Sequence, residues 1–69
     1  MAKRSVTLNG HATSVSLEDP FWEELKRMAD EAGLPLAGMI EQVDRQRGAA
    51  NLSSALRLAV LDDLKRRRD

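Results

Sequence analysis

The 69-residue sequence contains no cysteine and a single histidine, His11. Without cysteine the protein has neither a disulfide framework nor a thiolate zinc site. One histidine cannot assemble a histidine metal site within one chain. The sequence also lacks a glycine-rich phosphate loop and any credible catalytic triad. These absences predict a protein that is not an enzyme and that uses no metal and no cofactor.

Long apolar runs are also missing. No stretch approaches the roughly 20 apolar residues of a membrane span, and the start MAKRSVTLNG contains no signal peptide. We therefore expect a cytoplasmic protein without membrane contact, located at the nucleoid if it binds DNA. A chain this short forms one domain, residues 1–69. Small domains without disulfides or metals often need oligomerisation for stability, which predicts a homodimer.

The charges cancel in number but are unevenly distributed. Eleven basic and eleven acidic residues give no net charge, so the total offers no argument for nucleic-acid binding. Residues 1–17 carry Lys3 and Arg4 with no acid, whereas residues 18–34 carry six acids. The run Lys65–Arg68 is basic again. A neutral protein of this kind can still present one positive face.

Residues 4–17 are predicted to form a β-hairpin. Asn9-Gly10 is a strong hairpin signal, because both residues tolerate the positive φ angles of a type I′ turn. A two-residue turn pairs Leu8 with His11 and therefore fixes which side chains share a face. The apolar face consists of Val6, Leu8, Val15 and Leu17. The opposite face consists of Lys3, Ser5, Thr7, Ala12, Ser14 and Ser16.

Three helices are predicted to follow, over residues 19–33, 35–47 and 52–66. Asp19 is expected to be the first N-cap, and Asn51 or Ser53 the third. Apolar residues recur at helical spacing in each segment. The residues predicted to form the core or a dimer interface, including two from the strand, are Val15, Leu17, Trp22, Leu25, Met39, Ile40, Leu56 and Val60. Ala32 in the first helix and Leu64 in the third belong to the same apolar patterns and are also predicted to face the core.

Two features of the helices stand apart from this pattern. Gly38 lies inside the second helix, where glycine is unfavourable, which predicts a close helix crossing. Leu58 and Leu61 lie off the buried stripe of the third helix. They predict a second apolar surface, which a protein partner could cover.

The order of strand, helix, Gly-Leu turn and helix resembles a known family. SVSLEDPFWEELKRMADEAGLPLAGMIEQV is similar to the ribbon–helix–helix DNA-binding repressors of the Arc/MetJ type, and the match covers residues 12–43. The added N-terminal strand and NLSSALRLAVL resemble a bacterial subgroup with an extra helix. The resemblance implies a mainly α fold with a short β-ribbon, in which two chains pair their strands and intertwine their helices.

The resemblance also implies a DNA-binding site. Three alternating residues on the outer face of the ribbon read bases in this family, and here they are Ala12, Ser14 and Ser16. Backbone amides at the start of the second helix bind phosphate, here at Leu36, Ala37 and Gly38. We add Lys3 and Arg4 as predicted phosphate contacts.

The functional prediction is a sequence-specific transcriptional regulator, a repressor, that binds double-stranded DNA as a homodimer. The alternative is a dimeric protein-interaction module, or an antitoxin, that kept the fold with weak or no DNA reading. For Ser14 and Ser16, the competing interpretation is that they are solvent-facing strand residues. For the run Lys65–Arg68, it is that cations favour a helix C-terminus.

Overall fold

The computed structural model of the chain describes residues 2–67. It confirms the predicted fold class of a β-hairpin followed by three helices. The elements are β1 (Ala2–Leu8), β2 (His11–Leu17), α1 (Asp19–Ala32), α2 (Leu36–Gln46) and α3 (Leu52–Arg66). No helix in this part of the chain is long and apolar enough to cross a membrane. Arg68, the last residue of the predicted basic run, lies outside the described residues.

The hairpin turn has the predicted geometry. Asn9 and Gly10 both have positive φ angles, of 52° and 81°, as a type I′ turn requires. The two strands pair antiparallel from Leu8 opposite His11 to Ala2 opposite Leu17. Pairing therefore starts two residues earlier than the predicted residue 4. Because side chains alternate along a strand, the apolar and polar faces are those predicted from the turn.

The helices pack on the apolar face of the hairpin and close a core within one chain. All eight residues predicted as core or dimer contacts are buried, and Leu17, Leu25, Ile40 and Leu56 are fully inaccessible to solvent. Burying a side chain of this size contributes about 1.5–3 kcal/mol. The remaining buried residues are Leu8 and Ala29. The apolar surface of the hairpin is thus covered by the helices of the same chain.

The N-cap of the first helix lies one residue earlier than predicted. Asp19 is its first residue, and Glu18 occupies the N-cap position with extended backbone angles. The Glu18 carboxylate makes no capping hydrogen bond, because it accepts from Arg57 Nε at 2.9 Å instead. Its carbonyl accepts the first helical bond, from the Trp22 amide. For α3, Asn51 is the cap, and its side-chain oxygen accepts from the Ser54 amide at 3.2 Å.

Three packing predictions are wrong. Ala32 is exposed because it ends α1 immediately before the chain turns at Gly33. Leu64 is 44% exposed because it lies one turn beyond Val60, the last buried residue of α3. Gly38 does not mark a helix crossing. A Cβ there would meet only the Pro35 ring, at 3.4 Å, at the start of the same helix.

Candidate nucleic-acid interface

The outward-facing side of the hairpin, called the outer face below, carries small polar side chains and one cation. Its three cross-strand pairs are Lys3 with Ser16, Ser5 with Ser14, and Thr7 with Ala12. All of these side chains are exposed except Ser16, which is half-buried. No carboxylate lies on this face. Small neutral side chains bring the sheet backbone within reach of a ligand, and Lys3 adds positive charge at one end.

The free edge of β2 is occupied at one end by α3. The Ser16 amide donates to Ser53 Oγ at 3.1 Å, and the Ser16 carbonyl accepts from Arg57 Nη2 at 3.1 Å. Both backbone groups of Ser16 therefore point away from β1. In an antiparallel pair, alternate residues direct their backbone groups to the same side. Ala12 and Ser14 consequently also point to the free edge.

Arg57 connects this edge to the start of α1. Its Nε donates to the Glu18 carboxylate, and its guanidinium carbon lies 6.0 Å from the centroid of the Phe21 ring. A hydrogen bond from the Glu18 backbone and then the Arg57 guanidinium hold the pKa of the Glu18 carboxyl below its usual value. The carboxylate thus stays ionised where it pairs with Arg57.

The two predicted phosphate contacts lie on opposite faces of the hairpin. Lys3 is exposed on the outer face. Arg4 is half-buried on the inner face, with its guanidinium 4.8 Å from the Trp22 ring centroid and 3.2 Å from Asp19 Oδ1. Its Nε is buried without a hydrogen-bond partner. Phosphate contact by Lys3 needs no rearrangement, whereas contact by Arg4 requires it to leave Trp22.

The start of α2 offers free backbone amides. Leu36, Ala37 and Gly38 form its first turn, and the first amides of a helix have no partner within the helix. Pro35 occupies the cap position, so no side-chain oxygen covers them. The first turn also carries no acid. The positive end of the helix dipole is therefore uncompensated, as an anion contact requires.

A family model described as a ribbon-helix-helix domain matches residues 1–64. The chain belongs to the ribbon–helix–helix family. This confirms the resemblance seen in the sequence and extends it to the added strand and most of α3. No curated protein and no solved structure matches the chain. The ribbon–helix–helix family comprises DNA-binding regulators and related antitoxins, typically dimeric, and its domains are not enzymes.

Within the ribbon–helix–helix fold, the sequence did not reveal the contacts of α3 with the β2 edge. Ser53 follows Asn51 at the start of a helix, where serine is expected as a cap, and Arg57 reads as one more surface cation. Glu18 reads as an acid near a helix N-terminus. Nothing in their spacing indicates that Ser53 and Arg57 bind the backbone of Ser16, 37 residues before Ser53, or that Glu18 accepts from Arg57.

Proposed function

We propose that this ribbon–helix–helix protein is a homodimeric, sequence-specific DNA-binding regulator that represses transcription. The observation that carries the proposal is the outer face of the hairpin. Apart from the half-buried Ser16 it is exposed, and it is free of carboxylates and positively charged at Lys3, whereas the acids of residues 18–34 belong to the helical part of the chain. A two-stranded antiparallel ribbon fits the major groove of B-DNA, where its outward side chains reach base edges.

The ribbon forms when the β2 strands of two copies pair along their free edges. The central pair of strands enters the major groove, and the two β1 strands lie outside it, with Lys3 against the phosphates. The amides of Leu36, Ala37 and Gly38 hold flanking phosphates, favoured by the dipole of α2. These contacts fix the position of the ribbon on DNA without reading its sequence.

Base reading is assigned to Ala12, Ser14 and Ser16. A serine hydroxyl exchanges one hydrogen bond with a base edge, and alanine contacts a thymine methyl group. The bidentate contacts of arginine or asparagine, worth about 1–3 kcal/mol of discrimination each, are missing from this set. We therefore expect modest discrimination between sequences, with phosphate contacts supplying most of the affinity.

A salt titration of binding to genomic DNA fragments tests the proposal. Binding should weaken steeply as salt rises, because each neutralised phosphate releases counterions. Lys3→Ala should lower the slope of log K against log salt by about one per chain. Lys26→Ala is the matched control, since Lys26 pairs with Glu23 on α1, and its slope should match that of the wild type. Absence of binding at low salt would overturn the proposed function.

The second candidate is a dimeric interaction module or an antitoxin. Leu58 and Leu61 are 62% and 51% exposed on α3, and Leu58 lines a groove with Val43, Ala55 and Ala59. Exposed leucines beside a groove are typical of protein-binding surfaces. The same titration discriminates the candidates. A module that lost DNA reading would form dimers and show no binding at low salt.

A further inference from the structure

The free edge of β2 is open over only part of its length. Its outward backbone groups belong to Ala12, Ser14 and Ser16. Those of Ser16 are taken by α3. Those of Ala12 and Ser14 have no partner among residues 2–67. A second strand that pairs with this edge therefore meets unpaired backbone groups at Ala12 and Ser14. At Ser16 it meets backbone groups that α3 already binds.

The helix that binds the backbone of Ser16 is anchored in the core. Ser53, Leu56, Arg57 and Val60 share one face of α3, and Leu56 and Val60 are 0% and 1% exposed. The far end of α3 is held by Asp63, whose carboxylate lies 2.7 Å from Arg27 on α1. Opening Ser16 by moving α3 would thus expose core side chains. A second copy can use Ala12 and Ser14 at no such cost.

Symmetric pairing allows few registers. In an antiparallel ribbon, hydrogen-bonded pairs join only residues whose backbone groups face the partner strand. Three two-fold registers form at least two such pairs within β2, with the axis beside Thr13, Ser14 or Val15. The axes at Ser14 and Val15 both require Ser16. The axis at Thr13 joins Ala12 of each copy to Ser14 of the other and leaves Ser16 with α3.

Resting on the proposed function, we propose that α3 sets the register of the intermolecular ribbon and places the two-fold axis beside Thr13. A cavity of about 300 Å³ borders this stretch of the edge, lined by Leu8, His11, Thr13 and Asp44 among others. It leaves room on the inner side for Thr13 of the second copy. The consequence for DNA is that Ala12 and Ser14 of both copies form the centre of the reading surface, while Ser16 lies towards its ends.

Cross-linking tests the register, because the chain contains no cysteine of its own. With the axis beside Thr13, the two Thr13 residues form a non-hydrogen-bonded pair with Cα atoms about 4.5 Å apart. That distance suits a disulfide, whereas the two Ser14 residues are diagonal neighbours about 7–8 Å apart. Under mild oxidation, Thr13→Cys should form a covalent dimer several-fold faster than Ser14→Cys. An axis at Ser14 reverses this order.

A second arm tests the role of α3. Arg57→Ala combined with Ser53→Ala frees Ser16, and cross-linking should then shift towards Ser14→Cys, whose register forms one more residue pair. Glu18→Gln is the milder variant, since it removes the carboxylate partner of Arg57 but leaves α3 intact; it should shift the ratio the same way. Arg66→Ala, at an exposed arginine paired with Asp62 on the same helix, is the control and should leave the ratio unchanged.

The outcomes separate the register from the proposed function. Faster cross-linking of Ser14→Cys in the parent chain would overturn the register and leave DNA binding by a ribbon intact. An unchanged ratio both in the Arg57 and Ser53 double variant and in Glu18→Gln would overturn the role of α3. A dimer in sedimentation with neither cross-link would overturn the axis beside Thr13, because it leaves only the axis at Val15 or a dimer that does not pair through β2. A monomer at micromolar concentration would overturn the dimer and the proposed function with it.

Discussion

At the scale of single residues, the outer face depends on two serines with different surroundings. Ser14 is exposed, and its backbone is open to a second copy, whereas the Ser16 backbone is held by Ser53 and Arg57. Their hydroxyl groups are nevertheless on the same face. Removing both hydroxyl groups changes the proposed reading surface without touching the core.

Ser14→Ala combined with Ser16→Ala should weaken specific DNA binding and spare the fold. A hydrogen bond contributes about 0.5–1.5 kcal/mol net, so the expected loss is about tenfold in affinity for a preferred site. The thermal midpoint should stay within a few degrees of the wild type. The measurement is a DNA titration beside a melting curve. Undiminished affinity for the preferred site would remove both serines from the interface.

Glu18 gives the protein a predicted pH dependence. Because its pKa is lowered in the folded state from an ordinary value of 4.5, ionised Glu18 stabilises the fold above that value. This contribution is lost as the pH falls through the folded pKa. The difference in urea midpoint between wild type and Glu18→Gln should therefore be largest near neutral pH and shrink below about pH 4. A difference that stays constant from pH 7 to pH 3 would contradict the assignment.

At the scale of elements, α3 has two distinct sides. Leu56 and Val60 face the core, whereas Leu58 and Leu61 face solvent. The guanidinium of Arg57 contacts the strand edge near the start of the helix, and Asp63 pairs with Arg27 near its end. Asp63 and then Glu24 raise the pKa of Arg27 further above its ordinary value, so Arg27 stays charged in its ion pair with Asp63. The helix is thus part of the folding unit.

Leu56→Ala and Leu58→Ala make a matched pair on this helix. Leu56→Ala should lower the free energy of unfolding by about 2–5 kcal/mol, since it leaves a cavity at a fully buried position. Leu58→Ala should change it by less than about 0.5 kcal/mol, because that side chain is 62% exposed. Urea unfolding followed by circular dichroism measures both. Equal losses would show that Leu58 is buried in solution, as in an interface between copies.

At the scale of the whole molecule, the core is complete within one chain, and the proposed dimer pairs a second chain along the free edge of β2. The hairpin supplies its own second strand, so the dimer is not needed to pair β1 with β2. Under the proposed function, the dimer presents a two-fold ribbon to the two-fold backbone of DNA. We therefore expect folding and dimerisation to be separable. Dimerisation should depend on pairing of the two copies at Ala12 and Ser14.

The sequence by itself determined the hairpin, its register and the helices, because these depend on local signals. Asn9-Gly10 fixes the turn, Gly33 ends α1, and Asn51 starts α3 through its own side chain. The alternation that follows from the turn identified the outer face. Helical periodicity likewise identified six of the buried residues, and strand alternation identified Val15 and Leu17.

Only the tertiary structure decided how far the β2 edge is open and which arginine points inward. Arg4 reads as a terminal cation but stacks on Trp22, 18 positions later in the chain. The backbone groups of Ser16 are bound by Ser53 and Arg57. Neither the sequence pattern nor the spacing of these residues indicates that contact. Contacts of this kind depend on how helices settle on the sheet, and no local preference specifies that placement.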